Sequence, residues 1–108
     1  PFEIGIPVLD NINLRKDSQR IHQILSNYTN IRHIFFGHVH RPVCGSWHGI
    51  PFSTMYGTNH QIQLDLNAED YFPHTHEPPA YCVILIESEQ TTVHIHNYLD
   101  DSLYKRIL

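Results

Sequence analysis

The chain has 108 residues, 41% of them apolar and 17% charged, a profile of one globular domain and not of a disordered or fibrous segment. Its formal charge is −4, and its seven Lys and Arg residues form no run, so a nucleic-acid backbone is not an expected partner. No apolar stretch approaches the roughly 18 residues of a membrane span and no signal-peptide pattern opens the chain, so a soluble, cytoplasmic protein with no membrane partner is expected.

In chain order, residues 1–16, "PFEIGIPVLDNINLRK", mix Pro, Gly, Asp and Asn and are predicted to be an extended or looped connection. They begin without an initiator Met and already read as ordered sequence, so a fragment or a processed product is expected. From Asp17 or Ser18, either able to cap a first turn, Ile21, Ile24, Leu25 and Tyr28 recur at helical spacing. They predict an amphipathic helix that ends between Asn27 and Asn30. "IRHIFF", residues 31–36, has β-propensity and little alternation, as in a strand covered on both faces. A helix feeding such a strand is an α/β signature.

Beyond Pro42 the pattern is β. "VCGSWHG", "IPFSTM" and "HQIQLDL" are predicted short strands, with turns at Gly49-Ile50 and Tyr56-Gly57-Thr58-Asn59. "DYFPHTHEPP", residues 70–79, carries three prolines and is predicted to be a loop. "YCVILIES" and "TVHIHNYL" flank Glu89-Gln90 and predict a final hairpin. Cys44 and Cys82 each sit in an apolar β segment and are expected to be reduced core thiols.

Ten histidines are present, six of them in three His-x-His pairs. In a strand, residues i and i+2 share a face, so each pair could converge on one ion. His94 and His96 alternate with Val93 and Ile95, the pattern of a strand with its histidines toward solvent. His74 and His76 lie in the proline-rich loop with no ordered partner nearby in sequence. Lone His22, His33 and His48 are expected at the surface or half-buried. His38 and His40 differ, because they follow Gly37 where an apolar strand stops. Ligands of α/β sheets gather at the carboxyl ends of strands, and glycine would let the backbone turn there. A pair of histidines still cannot complete a hydrolytic metal site, which needs about three protein ligands and an open position.

"GHVH", Gly37 to His40, followed by "RPVCGSWHGIPFSTMYGTNHQ" through Gln61, resembles the carboxyl-terminal part of calcineurin-like metallophosphoesterases. The closest likeness is to the branch that hydrolyses cyclic nucleotides and glycerophosphodiesters. The opening "PFEIGIPVLDNINL" resembles the segment that follows a His-His-Pro motif in that branch, so the likeness covers residues 1 to about 65. The resemblance implies the carboxyl-terminal half of a four-layer α/β sandwich: one N-terminal amphipathic helix, then mainly β-strands and hairpins, with residues 66–108 as terminal strands of a single partial domain, 1–108.

It also implies a site with two divalent ions (Mn, Fe or Zn), with His38 on one and His40 on the other. The family's other ligands, an Asp-x-His, an Asp, an Asn-His and a further His, lie upstream of Pro1. The implied reaction is attack on a phosphodiester, such as a 3′,5′-cyclic nucleotide, by metal-bound hydroxide. The chain alone is therefore expected to lack both ions, any complete set of catalytic residues, and activity. Asn59 and His60 are candidates for contact with a small phosphodiester substrate, His60 also as support for a metal ligand. Arg41 reads as a surface residue that could approach a phosphate. An apolar sheet face cut from its partner would favour a homodimer. The competing expectation is a non-catalytic, β-rich binding or dimerisation module derived from the same fold.

Overall fold

The computed structural model describes residues 1–12 and 15–99. The expected terminal strands are therefore seen only as far as Leu99. Strands outnumber helices. They form a three-stranded sheet and two two-stranded sheets, and the radius of gyration is 16.1 Å, against about 13 Å for a compact domain of this length. The molecule is a slab, 18 Å through its thin axis.

The opening segment is more structured than its composition predicts. Pro7–Asp10 is one helical turn, α1, with proline in the first-turn position that its fixed φ favours. The Asp10 carboxylate accepts hydrogen bonds from the amides of Ile4 and Gly5 at 2.8 and 2.9 Å, and Gly5 takes a φ of +83° that glycine adopts freely. The Asp that resembled a loop marker is the residue that closes the turn. Phe2, Ile6, Val8 and Leu9 are consequently buried.

After a 3-10 turn at Arg15–Asp17, α2 spans Ser18–Leu25. Asp17 stands at its N-cap but makes no side-chain capping bond, and the helix stops two residues short of the expected range, where Ser26 Oγ donates to the His22 carbonyl at 2.7 Å. None of its residues is buried. Its lateral anchor is His22, stacked on His48 at 3.6 Å between ring centroids and edge-on to Trp47.

The three-stranded sheet has the order β1 (Ile34–Phe35), β3 (Ile50–Ser53), β2 (Cys44–Trp47). β1 and β3 are parallel, Phe35 opposite Ser53, whereas β2 and β3 form a hairpin. The hairpin turns at His48-Gly49, one residue earlier than predicted. A two-residue turn of this hand requires positive φ twice, and these residues have +49° and +82°. β1 is short and on the edge, and Phe35 is 38% exposed, so the strand is not covered on both faces as predicted. Cys44 is likewise exposed on an edge strand, not in the core. Both cysteines are free. His33 packs on Phe35 at 4.2 Å and its Nε2 pairs with Ser53 Oγ at 2.9 Å.

The segment expected as a short strand, 60–66, pairs only at β4 (Gln61–Ile62). Its partner β5 (His74–Thr75) lies inside the predicted proline-rich loop. The pairing is antiparallel, with Ile62 opposite His74. Asp65, in the intervening loop, accepts a hydrogen bond from the Tyr71 hydroxyl. That bond, reinforced by the Asn67 amide, holds its carboxyl below the usual range. The predicted final hairpin forms as β6 (Ala80–Ile86) and β7 (Thr91–Asn97), and the Arg32 guanidinium bonds the carbonyls of Glu87 and Ser88 beside its turn. The inside-outside alternation expected of β7 is not observed. Ile95 is 52% exposed whereas His96 is half-buried against Tyr81 at 5.0 Å, because no second layer covers the hairpin's apolar side among the described residues.

Two clusters hold the part that matters for the site. Phe2 stacks on Trp47 at 4.4 Å and meets Phe36 and Phe52 edge-on at 5.2 and 5.0 Å. Ile6, Val8, Leu9, Val39, Ile62 and Ala68 form the apolar core, which burial of this size stabilises at roughly 25 cal/mol per Å² of apolar surface. Val39 is thus the anchor of the Gly37–His40 segment, and its two neighbours are the histidines.

Candidate functional site

Because β1 and β3 are parallel, the segments leaving their carboxyl ends, 36–43 and 54–60, emerge on one edge of the sheet. The segments are joined by backbone and side-chain bonds. The Thr54 amide donates to the Val43 carbonyl at 2.8 Å, the Val43 amide to Thr54 Oγ1 at 2.9 Å, and the Thr54 hydroxyl to the Arg41 carbonyl. On the other side the Ile62 amide donates to the His40 carbonyl at 3.0 Å, while Arg41 Nη1 donates back to the Ile62 carbonyl at 3.0 Å and lies 3.6 Å from a Glu77 carboxylate oxygen. Arg41 is half-buried in this brace. It is a structural staple, not the surface residue the sequence predicts.

The turn that was expected at Gly37 is made by the histidines. His38 has φ +77° and His40 +48°, a conformation that costs L-residues roughly 1–2 kcal/mol each. Strain of this kind persists only where neighbours over-determine it, and it gathers at functional sites. The neighbours here are buried Val39 and the two bonds to Ile62. Glycine at position 38 would adopt the same φ without a Cβ penalty. His38→Gly is therefore expected to unfold at higher denaturant than His38→Ala, by about 1 kcal/mol, although both lack the imidazole. Equal midpoints would mean that the turn relaxes without strain.

His40 Nδ1 lies 3.0 Å from the His60 carbonyl oxygen. A carbonyl can only accept, so Nδ1 carries a proton, and in the neutral ring Nε2 then keeps the lone pair. This is the arrangement by which an outer hydrogen bond fixes the tautomer of a metal-ligating imidazole. The His60 ring is 4.4 Å from that of His40 and 5.1 Å from that of His74. Partial burial lowers the His60 pKa, and the nearby His40 and His74 lower it further, so the neutral ring is favoured.

The 57–61 loop that carries His60 is closed by one side chain. Gln61, fully buried, accepts from the Gly57 amide at 2.7 Å through Oε1 and donates to the Gly57 carbonyl at 2.8 Å through Nε2. Gly57 itself sits against the site. A Cβ there would lie 2.5 Å from the His60 carbonyl oxygen and 2.8 Å from His40 Nδ1.

His38, His40, His60 and His74 line a common cleft of about 270 Å³, with Leu9, Ile12 and Phe72 among its apolar walls. His38 also borders an apolar cleft of about 430 Å³ formed with α1 and Phe36. Asn59 is exposed and does not line the histidine cleft, and His76 is also exposed and outside it. His74 is the cleft residue that sequence reasoning left aside. Its link to His60 depends on β4–β5 pairing across a loop, for which spacing offers no signal. Among the described residues, no three His, Cys, Asp or Glu side chains are placed to hold a metal ion together. His38 and His40 can therefore offer one imidazole nitrogen each, as part of a larger donor set.

No family model matches the chain. Over 101 residues, 94% of its length, it is 34% identical to a protein of Rhodopseudomonas palustris named a probable cyclic nucleotide phosphodiesterase, and it covers 36% of that protein. Over 80 residues, 74% of its length, it is 32% identical to an Arcobacter nitrofigilis protein named a probable glycerophosphodiester phosphodiesterase, of which it covers 29%. The chain thus spans about a third of the length of the curated relatives it matches. No helix among the described residues is long and apolar enough to cross a membrane.

Proposed function

We propose that this chain is the carboxyl-terminal part of a cytoplasmic, binuclear metal-dependent phosphodiesterase of the calcineurin-like kind, acting on a small phosphodiester. The observation that carries the proposal is the pair of left-handed histidines braced on one sheet edge, with His40 Nδ1 tied to a carbonyl and Nε2 left open. The similarity to two phosphodiesterases supports it. In this reading residues 1–108 are one partial domain of a four-layer α/β sandwich, and the remaining layers and metal ligands belong to sequence outside these residues.

His38 and His40 would serve two different divalent ions, manganese, iron or zinc. Bound ions at such a site activate water and neutralise charge on phosphoryl oxygens. The chain's own contribution is to orient imidazoles: Val39 fixes the segment, the His60 carbonyl holds the His40 tautomer, and the His60 ring faces the cleft as a donor or acceptor toward an ester oxygen. Asn59, one residue earlier, is exposed and outside the cleft lining.

The expected result is no turnover of bis(p-nitrophenyl) phosphate with added Mn²⁺ by the 108-residue chain, and turnover by a longer protein that includes the upstream ligands. His38→Ala or His40→Ala should lower the latter by at least 100-fold, a size that loss of a metal ligand readily produces. Turnover by the short chain above its His38→Ala, His40→Ala control, or an unaffected longer variant, would overturn the proposal.

A second reading, a non-catalytic dimerisation module, has its own observation. Val83, Ile84, Leu85, Ile86 and Ile95 of the β6–β7 hairpin are between 37% and 66% exposed, with Ile84, Ile86 and Ile95 on one face and Val83 and Leu85 on the other. A second copy pairing through this hairpin would cover one such face, in an active or an inactive protein. Sedimentation at micromolar concentration is expected to show dimer, and a monodisperse monomer would exclude pairing.

A further inference from the structure

We propose that His74 is a substrate-contacting residue that recognises a hydroxylated ester group, a sugar or glycerol, on the phosphodiester; the inference rests on the phosphodiesterase reading above. The β4–β5 register places His74 opposite Ile62, and its ring follows those of His40 and His60 in a row with steps of 4.4 and 5.1 Å. With phosphorus at the His38–His40 end, a substituent directed along the row passes His60 and then meets His74. The position is exposed and lines the cleft, and among the described residues the ring makes no hydrogen bond to the protein, so its nitrogens are open to a ligand.

The chemistry of the two walls identifies the group. Each imidazole presents two ring nitrogens to hydrogen-bond partners, and two rings side by side match hydroxyls, which both donate and accept. The opposite wall, with Leu9, Ile12 and Phe72, offers apolar contact to the C–H face of a sugar ring or a glycerol chain. A cleft with apolar walls and a few placed polar groups is the usual form of a small-molecule site. A two-residue ladder such as β4–β5 makes no demand for histidine at this position.

The test uses the longer, metal-loaded protein and three substrates: a 3′,5′-cyclic nucleotide, a glycerophosphodiester, and bis(p-nitrophenyl) phosphate, which has no hydroxyl. His74→Ala is expected to raise KM about tenfold, the size of one lost hydrogen bond, for the ribose or the glycerol substrate. Which of the two responds identifies the source of the hydroxyl. The loss should be several-fold larger for that substrate than for the nitrophenyl diester, with bound metal and thermal midpoint unchanged, and His74→Asn should restore most of it. A KM shift of the same size for all three substrates, or for none, would overturn the assignment of His74 while leaving the phosphodiesterase reading intact. Failure of the unaltered protein to cleave any of the three would overturn both.

Discussion

Replacing Gly57 by alanine is expected to destabilise the chain by about 1–3 kcal/mol, the range for a side chain forced into filled space, and to dislodge His40. The added methyl group would lie 2.5 Å from the His60 carbonyl oxygen and 2.8 Å and 3.1 Å from His40 Nδ1 and Cγ. Backbone cannot yield cheaply at that distance, so the loop must move away from the imidazole, and the 3.0 Å bond that fixes its tautomer is lost. Gly57 has no left-handed φ, so the effect is steric and not conformational. Gly37→Ala is the matching control. Nothing lies within 4 Å of its Cβ position and its φ is not left-handed, so near-neutrality is expected there even though Gly37 opens the histidine motif. Chemical denaturation, with NMR of the His40 ring, reads both variants. A Gly57→Ala chain with an unchanged midpoint and His40 signals would show that the close approach does not organise the site.

The contrast between the two glycines shows what was legible in the sequence. Gly37-His38-Val39-His40 is noticeable because its residue types are local, and the final hairpin is equally local: two β-rich runs, one turn, one register. The helix was found from Ile21, Ile24 and Leu25, whose spacing is also local. Each of these signals lies within a window of fewer than about 20 residues, the range over which periodicity acts.

The parts missed depend on contacts between distant segments. Gly57 seemed to be turn material, but its constraint comes from a ring 17 positions earlier in the sequence, as the contact with His40 shows. His74 seemed to be a loop histidine, and only its pairing opposite Ile62 brings it to His60. Asp10 reads from sequence as a loop former because Asp favours turns, and the same hydrogen-bonding ability, aimed at the Ile4 and Gly5 amides, makes a helical turn. Cys44 and Ile95 were expected inside because apolar β segments are usually covered. In a slab with no second layer over the hairpin among the described residues, β-propensity predicts the strand correctly but not its burial. That same lack of cover leaves the hairpin's apolar side available to a second copy.

Gln61→Leu is expected to cost about 2–6 kcal/mol, although leucine is apolar and the position is fully buried. The side chain's amide satisfies both the N–H and the C=O of Gly57, and leaving two such groups unpaired costs about 1–3 kcal/mol each. Leucine leaves no large cavity at the position, so the loss reports chiefly the polar clamp. Gln61→Glu gives a second arm. Its carboxylate can still accept from the Gly57 amide, but it cannot donate to the Gly57 carbonyl and brings a buried charge with no cation at the clamp, so it should not rescue. The consequence reaches the site because the clamp spans residues 57–61, which carry His60 and its carbonyl bond to His40. Both variants are therefore expected to loosen the His40–His60 pair, seen as averaged ring signals in NMR, while α2 and the β6–β7 hairpin keep their spectra. A Gln61→Leu chain within about 0.5 kcal/mol of the parent would place it among ordinary neutral substitutions and remove the clamp as the reason this loop holds its shape.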